Sequence, residues 1–170
     1  MSSQHQQREN EQNEAGPPAM QPQWLASGKD LYGEYHGLGV SRIDFKLCPA
    51  NSDGLFIIEN VFHARGGPAR HLHYEQDEWF YALEGEFIIE IGEKRMRLAP
   101  GDSVMAPRMI PHVWAYAGDD RGRILIAFMP AGRMEAFFRE VTKADAMPPQ
   151  APALWQAHGM ELLGPPLAIE

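Results

Sequence analysis

The most constraining feature of this sequence is a succession of short strand-like segments between Gly37 and Pro130. The segments are rich in β-branched and aromatic residues, and Gly, Pro, Asn and Asp separate them. The candidates are SRIDFKL, GLFIIENVF, EWFYALEG, EFIIEIG, KRMRLA, SVMAP, HVWAYA and RILIAFM. About eight short strands with no long helix between them predict an all-β antiparallel sandwich or barrel, and a jelly roll is the natural eight-stranded form.

Several turns between these segments have a recognisable composition. A two-residue hairpin loop needs positive φ angles, which Gly adopts without steric strain. The sequence therefore predicts two-residue loops at Glu84-Gly85 and at Gly92-Glu93. Pro100-Gly101-Asp102 predicts a further tight turn.

The N-terminal segment differs in composition from the rest of the chain. Residues 1–22 contain no Val, Ile, Leu, Phe or Tyr and are rich in Gln, Glu, Asn and Pro. Such a segment cannot bury enough apolar surface to offset its ordering entropy. We therefore expect a disordered tail at 1–22, followed by the barrel at 23–130.

After Pro130 the hydrophobic period changes from that of strands to that of a helix. In AGRMEAFFREVTK, apolar residues at i, i+3, i+4 and i+7 predict one buried helix face, formed by Met134, Phe137, Phe138 and Val141. PALWQAHG predicts a second, shorter helix that ends at Gly159. We expect residues 131–170 to form a C-terminal helix and arm packed on the barrel.

Charge and cysteine content limit the class of protein. The net charge of -8 argues against a nucleic-acid surface, which needs a concentrated basic patch. No apolar run approaches the length of a membrane span, and the N-terminus lacks the layout of a signal peptide. Cys48 is the single cysteine, which favours a reducing compartment. These observations predict a cytoplasmic protein that binds neither nucleic acid nor membranes.

A cluster of potential metal ligands stands in the stretch HLHYEQDEW. Alternate residues of a strand face the same way, so the imidazoles of His71 and His73 can converge on one ion. Glu78 lies five residues after His73, so a bend between them is needed to bring it to the same side. His112, in PRMIPHVWAY, is the candidate for a fourth ligand from a neighbouring strand. Two His and a carboxylate suit O2-activating iron, and imidazole-rich sites also suit Ni, Cu and Zn.

These ligands stand in two motifs that resemble the signatures of the cupins. GGPARHLHYEQDEWFYALEG resembles the first signature, with key positions at His71, His73, Glu78 and Gly85. GDSVMAPRMIPH resembles the second signature, with key positions at Gly101, Pro107 and His112. Met109 and Tyr116 depart from the second signature, where Gly and Asn are usual. Over residues 24–167 the chain resembles small single-domain cupins similar to quercetin 2,3-dioxygenases.

The resemblance implies a metal site and an activity. Four residues would bind one divalent transition metal, namely Fe, Ni, Mn, Co, Cu or Zn: His71, His73, Glu78 and His112. Glu78 would also act as the base that takes a proton from an oxygen-rich aromatic or enolic substrate, which then reacts with O2. Cupin sites also host isomerases, cyclases, lyases and binding proteins. A redox-neutral enzyme or a non-catalytic binding module therefore remains an alternative.

Four further residues are candidates for contact with a small-molecule substrate. Phe80 shares the strand face of Glu78, and Trp114 and Tyr116 share the face of His112. His63 ends a strand that is expected to border the cavity.

The predicted strands also bear on assembly. GLFIIENVF carries apolar residues on both faces, so its outer face needs a cover. The C-terminal helix can cover only part of that face. We therefore expect a homodimer built by sheet packing, as similar cupins form.

Overall fold

The computed structural model describes residues 21–52 and 54–169. Within these residues the chain forms eleven strands and two α-helices. The strands before the helices are β1 (His36–Leu38), β2 (Ser41–Leu47), β3 (Phe56–Phe62), β4 (Ala69–His73), β5 (Asp77–Glu84), β6 (Phe87–Ile91), β7 (Lys94–Leu98), β8 (Ser103–Ala106), β9 (His112–Tyr116) and β10 (Gly122–Met129). They are followed by α1 (Met134–Val141), α2 (Pro152–Ala157) and β11 (Met160–Pro166).

The strands form two antiparallel sheets that share one core. The six-stranded sheet has the order β1-β2-β3-β10-β5-β8, and the five-stranded sheet has the order β11-β4-β9-β6-β7. Several connections, such as β3 to β4 and β4 to β5, carry the chain from one sheet to the other. This arrangement confirms the predicted all-β jelly roll, and all eight predicted strands are present.

One of the two predicted hairpin loops is correct. Gly92, with a φ of 57°, joins β6 to β7, which pair directly. The hairpin predicted at Glu84-Gly85 is wrong, because β5 and β6 lie in different sheets. Gly85 has a φ of 79°, and a Cβ at this position would lie 2.7 Å from the Cε2 atom of Tyr116. Gly85 thus lets the chain cross between the sheets against a buried aromatic ring.

The core forms because alternate residues of the strands point between the sheets. On β3 these residues include Phe56, Ile58 and Phe62, each no more than 2% exposed. The ring of Phe56 packs edge-on against Phe45, with ring centroids 5.2 Å apart, and stacks on Phe128 at 5.8 Å. Burial of each such aliphatic or aromatic side chain stabilises the fold by about 1.5–3 kcal/mol.

The C-terminal segment covers one end of the barrel and completes the five-stranded sheet. Helix α1 buries the predicted apolar stripe of Met134, Phe137, Phe138 and Val141, and α2 forms where the sequence predicts it. The sequence predicts no strand in the arm, but β11 pairs with β4. Pro165 and Pro166 are tolerated there because β11 is an edge strand.

Residues 1–20 of the predicted tail lie outside the described part of the chain. No helix among the described residues is long and apolar enough to cross a membrane.

Candidate metal centre

Three of the four predicted ligands come from neighbouring strands of the five-stranded sheet. His71 and His73 lie on β4, and His112 is the first residue of β9. His71 pairs with His112 across the two strands, and their ring centroids are 4.5 Å apart. The rings of His73 and His112 are nearly parallel, with centroids 5.5 Å apart. The alternation predicted for His71 and His73 therefore directs both rings to one place.

Glu78 reaches the same place from the other sheet. The bend that its spacing requires is present, because β4 ends at His73 and β5 begins at Asp77. Asp77 accepts hydrogen bonds from the backbone N–H of Arg108 at 2.9 Å and from its guanidinium at 2.8 and 3.1 Å. This contact ties the start of β5 to the loop that leads to His112. Each of the four candidate ligand residues is at most 4% exposed.

Hydrogen bonds to the backbone orient two of the imidazole rings. Nδ1 of His71 donates to the carbonyl oxygen of Ala69 at 2.8 Å, and Nδ1 of His112 donates to that of Ile110 at 3.1 Å. In the neutral rings these bonds leave Nε2 with a free lone pair, as a metal-binding histidine requires. Nδ1 of His73 is buried and has no hydrogen-bond partner among the described residues.

The contact between His112 and Glu78 is informative about charge. Nε2 of His112 lies 2.8 Å from Oε2 of Glu78, and Nε2 of His73 lies 3.1 Å from the same oxygen. Because Nδ1 of His112 already carries its hydrogen, a neutral His112 would point a lone pair at a carboxylate. Such an arrangement is favourable only when a cation, either a proton or a metal ion, is shared at the site.

Burial affects the ionisable groups of the site in opposite ways. Burial, together with repulsion from His112 and His73, lowers the pKa of His71 well below its ordinary value. Burial alone would raise the pKa of Glu78, but the contacts with His112 and His73 outweigh it and lower that pKa. Neutral His71 and ionised Glu78 are the protonation states in which each side chain binds a metal.

The donor set fits a single transition-metal ion. The four ligand atoms, one from each residue, lie within 4.8 Å of one another. Three imidazole nitrogens with one carboxylate oxygen suit iron, nickel, copper or zinc. The residues present could therefore hold a divalent cation.

An apolar cavity extends from this cluster between the two sheets. His71, His73 and Glu78 form part of its wall. The rest of the wall comes from both sheets and from the C-terminal segment, including Phe62, Ile126, Phe128, Phe137, Trp155 and Met160. Helices α1 and α2 therefore contribute to the site as well as to the core.

The four residues predicted to contact substrate differ in their position relative to the cavity. Trp114 lines the cavity, so its contact with a substrate stays a prediction. Phe80 lies behind the site, with its ring centroid 6.4 Å from that of His112 and 5.6 Å from that of Trp114. Tyr116 is buried against Phe62 and lies outside the cavity wall.

His63 lies farthest from the site. Its side chain is exposed and borders a separate surface depression with Tyr35 and Arg42. We therefore propose no role for His63 at the cavity.

Sequence reasoning missed two polar residues that line the cavity, Ser41 on β2 and Asn60 on β3. A signal for Asn60 was present, since it is the one polar residue on the inward face of β3, between Ile58 and Phe62. Ser41 carries no comparable signal, because a serine at a strand start is common on any face. The aromatic and methionine residues of the C-terminal segment were assigned to the core alone.

A second group of potential ligands, Asp30, Glu34 and His36, is occupied by contacts within the chain. The carboxylate of Asp30 accepts hydrogen bonds from the backbone N–H groups of Tyr32, Glu34 and Phe45. The guanidinium of Arg139 lies 2.8 Å from Glu34. A resident cation there would stand beside a permanent positive charge, so this group organises the loop before β1.

Comparison with known proteins agrees with this architecture. Residues 61–128 match the family described as Cupin domain (Cupin_2). An RmlC-like cupin from Shewanella frigidimarina NCIMB 400 is 22% identical, with 66% of this chain and 96% of that chain covered and a TM-score of 0.51. KdgF from Halomonas sp. is 22% identical, with 56% of this chain and 85% of that chain covered and a TM-score of 0.49.

A third solved structure is the oxalate decarboxylase of Bacillus subtilis, a protein with Mn(II) centres. It is 16% identical, with 58% of this chain and 28% of that chain covered and a TM-score of 0.50. No curated protein sequence matches this chain significantly. At these identities the structural likeness shows the fold alone.

Proposed function

We propose that this chain, whose residues 61–128 match the Cupin domain family, is a metal-dependent oxidoreductase acting on a small molecule inside the barrel. The finer proposal is a dioxygenase that cleaves an oxygen-rich aromatic or enolic compound. The metal ligands would be His71, His73, Glu78 and His112. A divalent ion held by them supplies Lewis acidity, which lowers the pKa of a bound hydroxyl group.

The observation that carries this proposal is the close contact of imidazole nitrogens with the carboxylate of Glu78. Two imidazole nitrogens face one buried carboxylate oxygen at 2.8 and 3.1 Å, and His71 stands beside them with its pKa lowered. A purely structural cluster would pair the carboxylate with hydrogen donors, which neutral His112 cannot be here because its hydrogen is on Nδ1 and bonded to Ile110. Three imidazoles and a carboxylate with little access to water are better explained by a metal ion.

Glu78 has a second role in this proposal, as the base. It lies on the wall of the cavity, so a substrate hydroxyl bound beside the histidines would be within its reach. The apolar wall keeps water away from the deprotonated substrate and so favours an enolic or aromatic compound. Trp114 and Phe137 supply flat apolar surface for such a ring.

The test combines metal analysis with a substrate panel. We expect the purified protein to contain close to one divalent transition-metal ion per chain. With a flavonol or a simple diketone, we expect oxygen consumption in step with substrate loss. Turnover that continues without O2 would favour the redox-neutral isomerase, cyclase or lyase, and tight binding without product would favour a binding module.

We further propose that the protein is a homodimer, formed through the outer face of the six-stranded sheet. Six apolar or aromatic residues are neighbours there by register: Ile57, Trp79, Tyr81, Met105, Leu125 and Ala127. Met105 is 48% exposed and pairs with the half-buried Trp79, so apolar side chains reach the surface of this face. Such a surface is typical of an interaction site.

Light scattering over a wide concentration range tests the dimer. We expect a dimeric mass for the wild type and a shift toward monomer in Met105→Glu. Leu163→Glu is the matched control, because Leu163 is 41% exposed on β11 in the other sheet. A monomeric wild type at all concentrations would contradict this assembly.

A further inference from the structure

Two polar residues stand alone in the cavity wall at a distance from the candidate ligands. Among the described residues that form this wall, Ser41 and Asn60 are the polar ones besides His71, His73 and Glu78. They are 1% and 3% exposed. The Oγ atom of Ser41 and the Oδ1 atom of Asn60 are buried and have no hydrogen-bond partner within residues 21–52 and 54–169. A buried polar group without a partner destabilises a fold by about 1–3 kcal/mol, so a pair of them calls for an explanation.

The sheet register places this pair at the other end of the cavity from Glu78. Asn60 pairs with Ile124 on β10, whereas Glu78 pairs with Phe128 on the same strand. The four-residue separation along β10 corresponds to about 13 Å. Ser41 lies opposite Phe62, two residues from Asn60, on the same inward face. The cavity therefore has two polar ends joined by an apolar wall.

The end of the cavity that contains Ser41 and Asn60 lacks positive charge. No Lys or Arg is among the described residues that line the cavity. An anionic group bound near Asn60 would be buried without a counter-charge, which is strongly unfavourable. An uncharged hydroxyl avoids this problem, since it can donate to Oδ1 of Asn60 and accept from the hydroxyl of Ser41.

We infer that Ser41 and Asn60 form a second recognition point for the substrate and select a neutral hydroxyl group on an otherwise apolar molecule. This inference rests on the proposed function, which places the other oxygen of the substrate at the histidine cluster. It narrows the substrate class to uncharged aromatic or enolic compounds with a second hydroxyl, and it excludes dicarboxylates and sugar acids.

Calorimetric titration of the zinc-loaded full chain with matched phenols tests this inference without turnover. Hydroquinone and naphthalene-2,6-diol offer two lengths of diol, and each is compared with its methyl and its carboxylate analogue, in which that group replaces one hydroxyl. We expect the better-fitting diol to bind at least about tenfold more tightly than both analogues, the ratio that one satisfied hydrogen bond gives.

Ser41→Ala and Asn60→Leu should remove this preference while binding of the methyl analogue is unchanged. Both variants should also unfold at a higher temperature than the wild type, because an unpaired buried polar group is lost. A pair with a merely structural role would instead lower the unfolding temperature. Ser103→Ala, an exposed serine on the outer face of the same sheet, is the control that should change neither property.

The outcomes separate the two proposals. A chain that takes up no zinc overturns the proposed function and this inference with it. A zinc-loaded chain that binds the methyl or carboxylate analogue as tightly as the diols, or that binds neither diol, overturns the inference alone. A lower unfolding temperature in both variants, with the diol preference retained, also overturns it.

Discussion

Two buried glutamates on opposite faces of the six-stranded sheet have contrasting surroundings. Glu59 on β3 faces outward, where Nε of Arg123 lies 2.7 Å from Oε1 and Nζ of Lys46 lies 3.1 Å from Oε2. Glu78 on β5 faces inward, where both close contacts are imidazoles directed at one oxygen, Oε2. Burial tends to raise the pKa of both carboxylates, and the partners lower it.

The difference lies in what the partners can do. Lys46 and Arg123 carry permanent charges, so Glu59 has its counter-charges within the chain and serves the stability of the sheet. His112 donates from Nδ1 to the backbone, so its neutral form directs a lone pair at Glu78, which is favourable only with a cation at the site. A buried carboxylate among imidazoles is therefore a site for a cation, whereas a buried carboxylate among cations is already neutralised.

Loss of one imidazole is the change with the largest expected effect. His73→Ala should reduce the metal content from close to one ion per chain to near zero and abolish turnover, because the remaining ligands form an incomplete set. Elemental analysis after reconstitution measures this. His63→Ala, at an exposed histidine, is the control and should keep its metal. A His73→Ala protein that retains close to one ion per chain would show that the assignment is wrong.

Replacement of Glu78 by glutamine separates its proposed role as a metal ligand from its proposed role as a base. Glu78→Gln keeps an oxygen donor but removes the proton acceptor, so the three histidines should still hold a metal while turnover falls by about 100-fold. Glu59→Gln should leave the rate unchanged. Metal occupancy and rate are measured together. A Glu78→Gln protein with a full complement of metal and a near-normal rate would mean that the base lies elsewhere.

Glu59 should contribute to the stability of the fold and not to turnover. Glu59→Gln should reduce the free energy of unfolding by about 1–3 kcal/mol, since two charge-assisted hydrogen bonds are lost. The effect is limited because the side chains of Lys46 and Arg123 are 17% and 27% exposed and can turn to water. Urea unfolding measures it. An unchanged free energy of unfolding would remove the structural role that we assign to Glu59.

Acidification should reduce the stability that the ion pairs of Glu59 with Lys46 and Arg123 contribute. The pKa of Glu59 is lowered in the folded chain, against about 4.3 in the unfolded chain. The contribution of Glu59 to the free energy of unfolding is therefore complete above the pKa of the unfolded chain. It is lost as the pH falls toward the pKa of the folded chain. The stability difference between wild type and Glu59→Gln should shrink from pH 7 to pH 3, measured by urea unfolding with a chelator present. A difference that is constant or grows would contradict this linkage.

Much of the fold and of the ligand set could be predicted from local patterns. The apolar stripe of α1 and the alternation on β3 are repeats within a few residues, so they are visible in the sequence. The spacing of His71, His73 and Glu78 likewise required a strand and then a bend, and both are present. Each of these features depends on the geometry of one short segment.

The incorrect and missing predictions all depend on contacts between distant segments. The hairpin at Glu84-Gly85 was wrong because the choice of sheet for β6 depends on its partners β7 and β9. The strand β11 was missed because its prolines suit only an edge beside β4. His63 lies outside the cavity because β3 ends there at the surface.

By itself, the sequence determined eight of the eleven strands, the apolar face of α1 and the identity of the four candidate ligands, since these follow from side-chain period and residue type. Only the tertiary structure decided that His112 stands opposite His71, that the C-terminal segment closes the cavity, and that Ser41 and Asn60 face its interior. The physical reason is that strand register and sheet membership are set by burial summed over the whole barrel. No single segment carries that information.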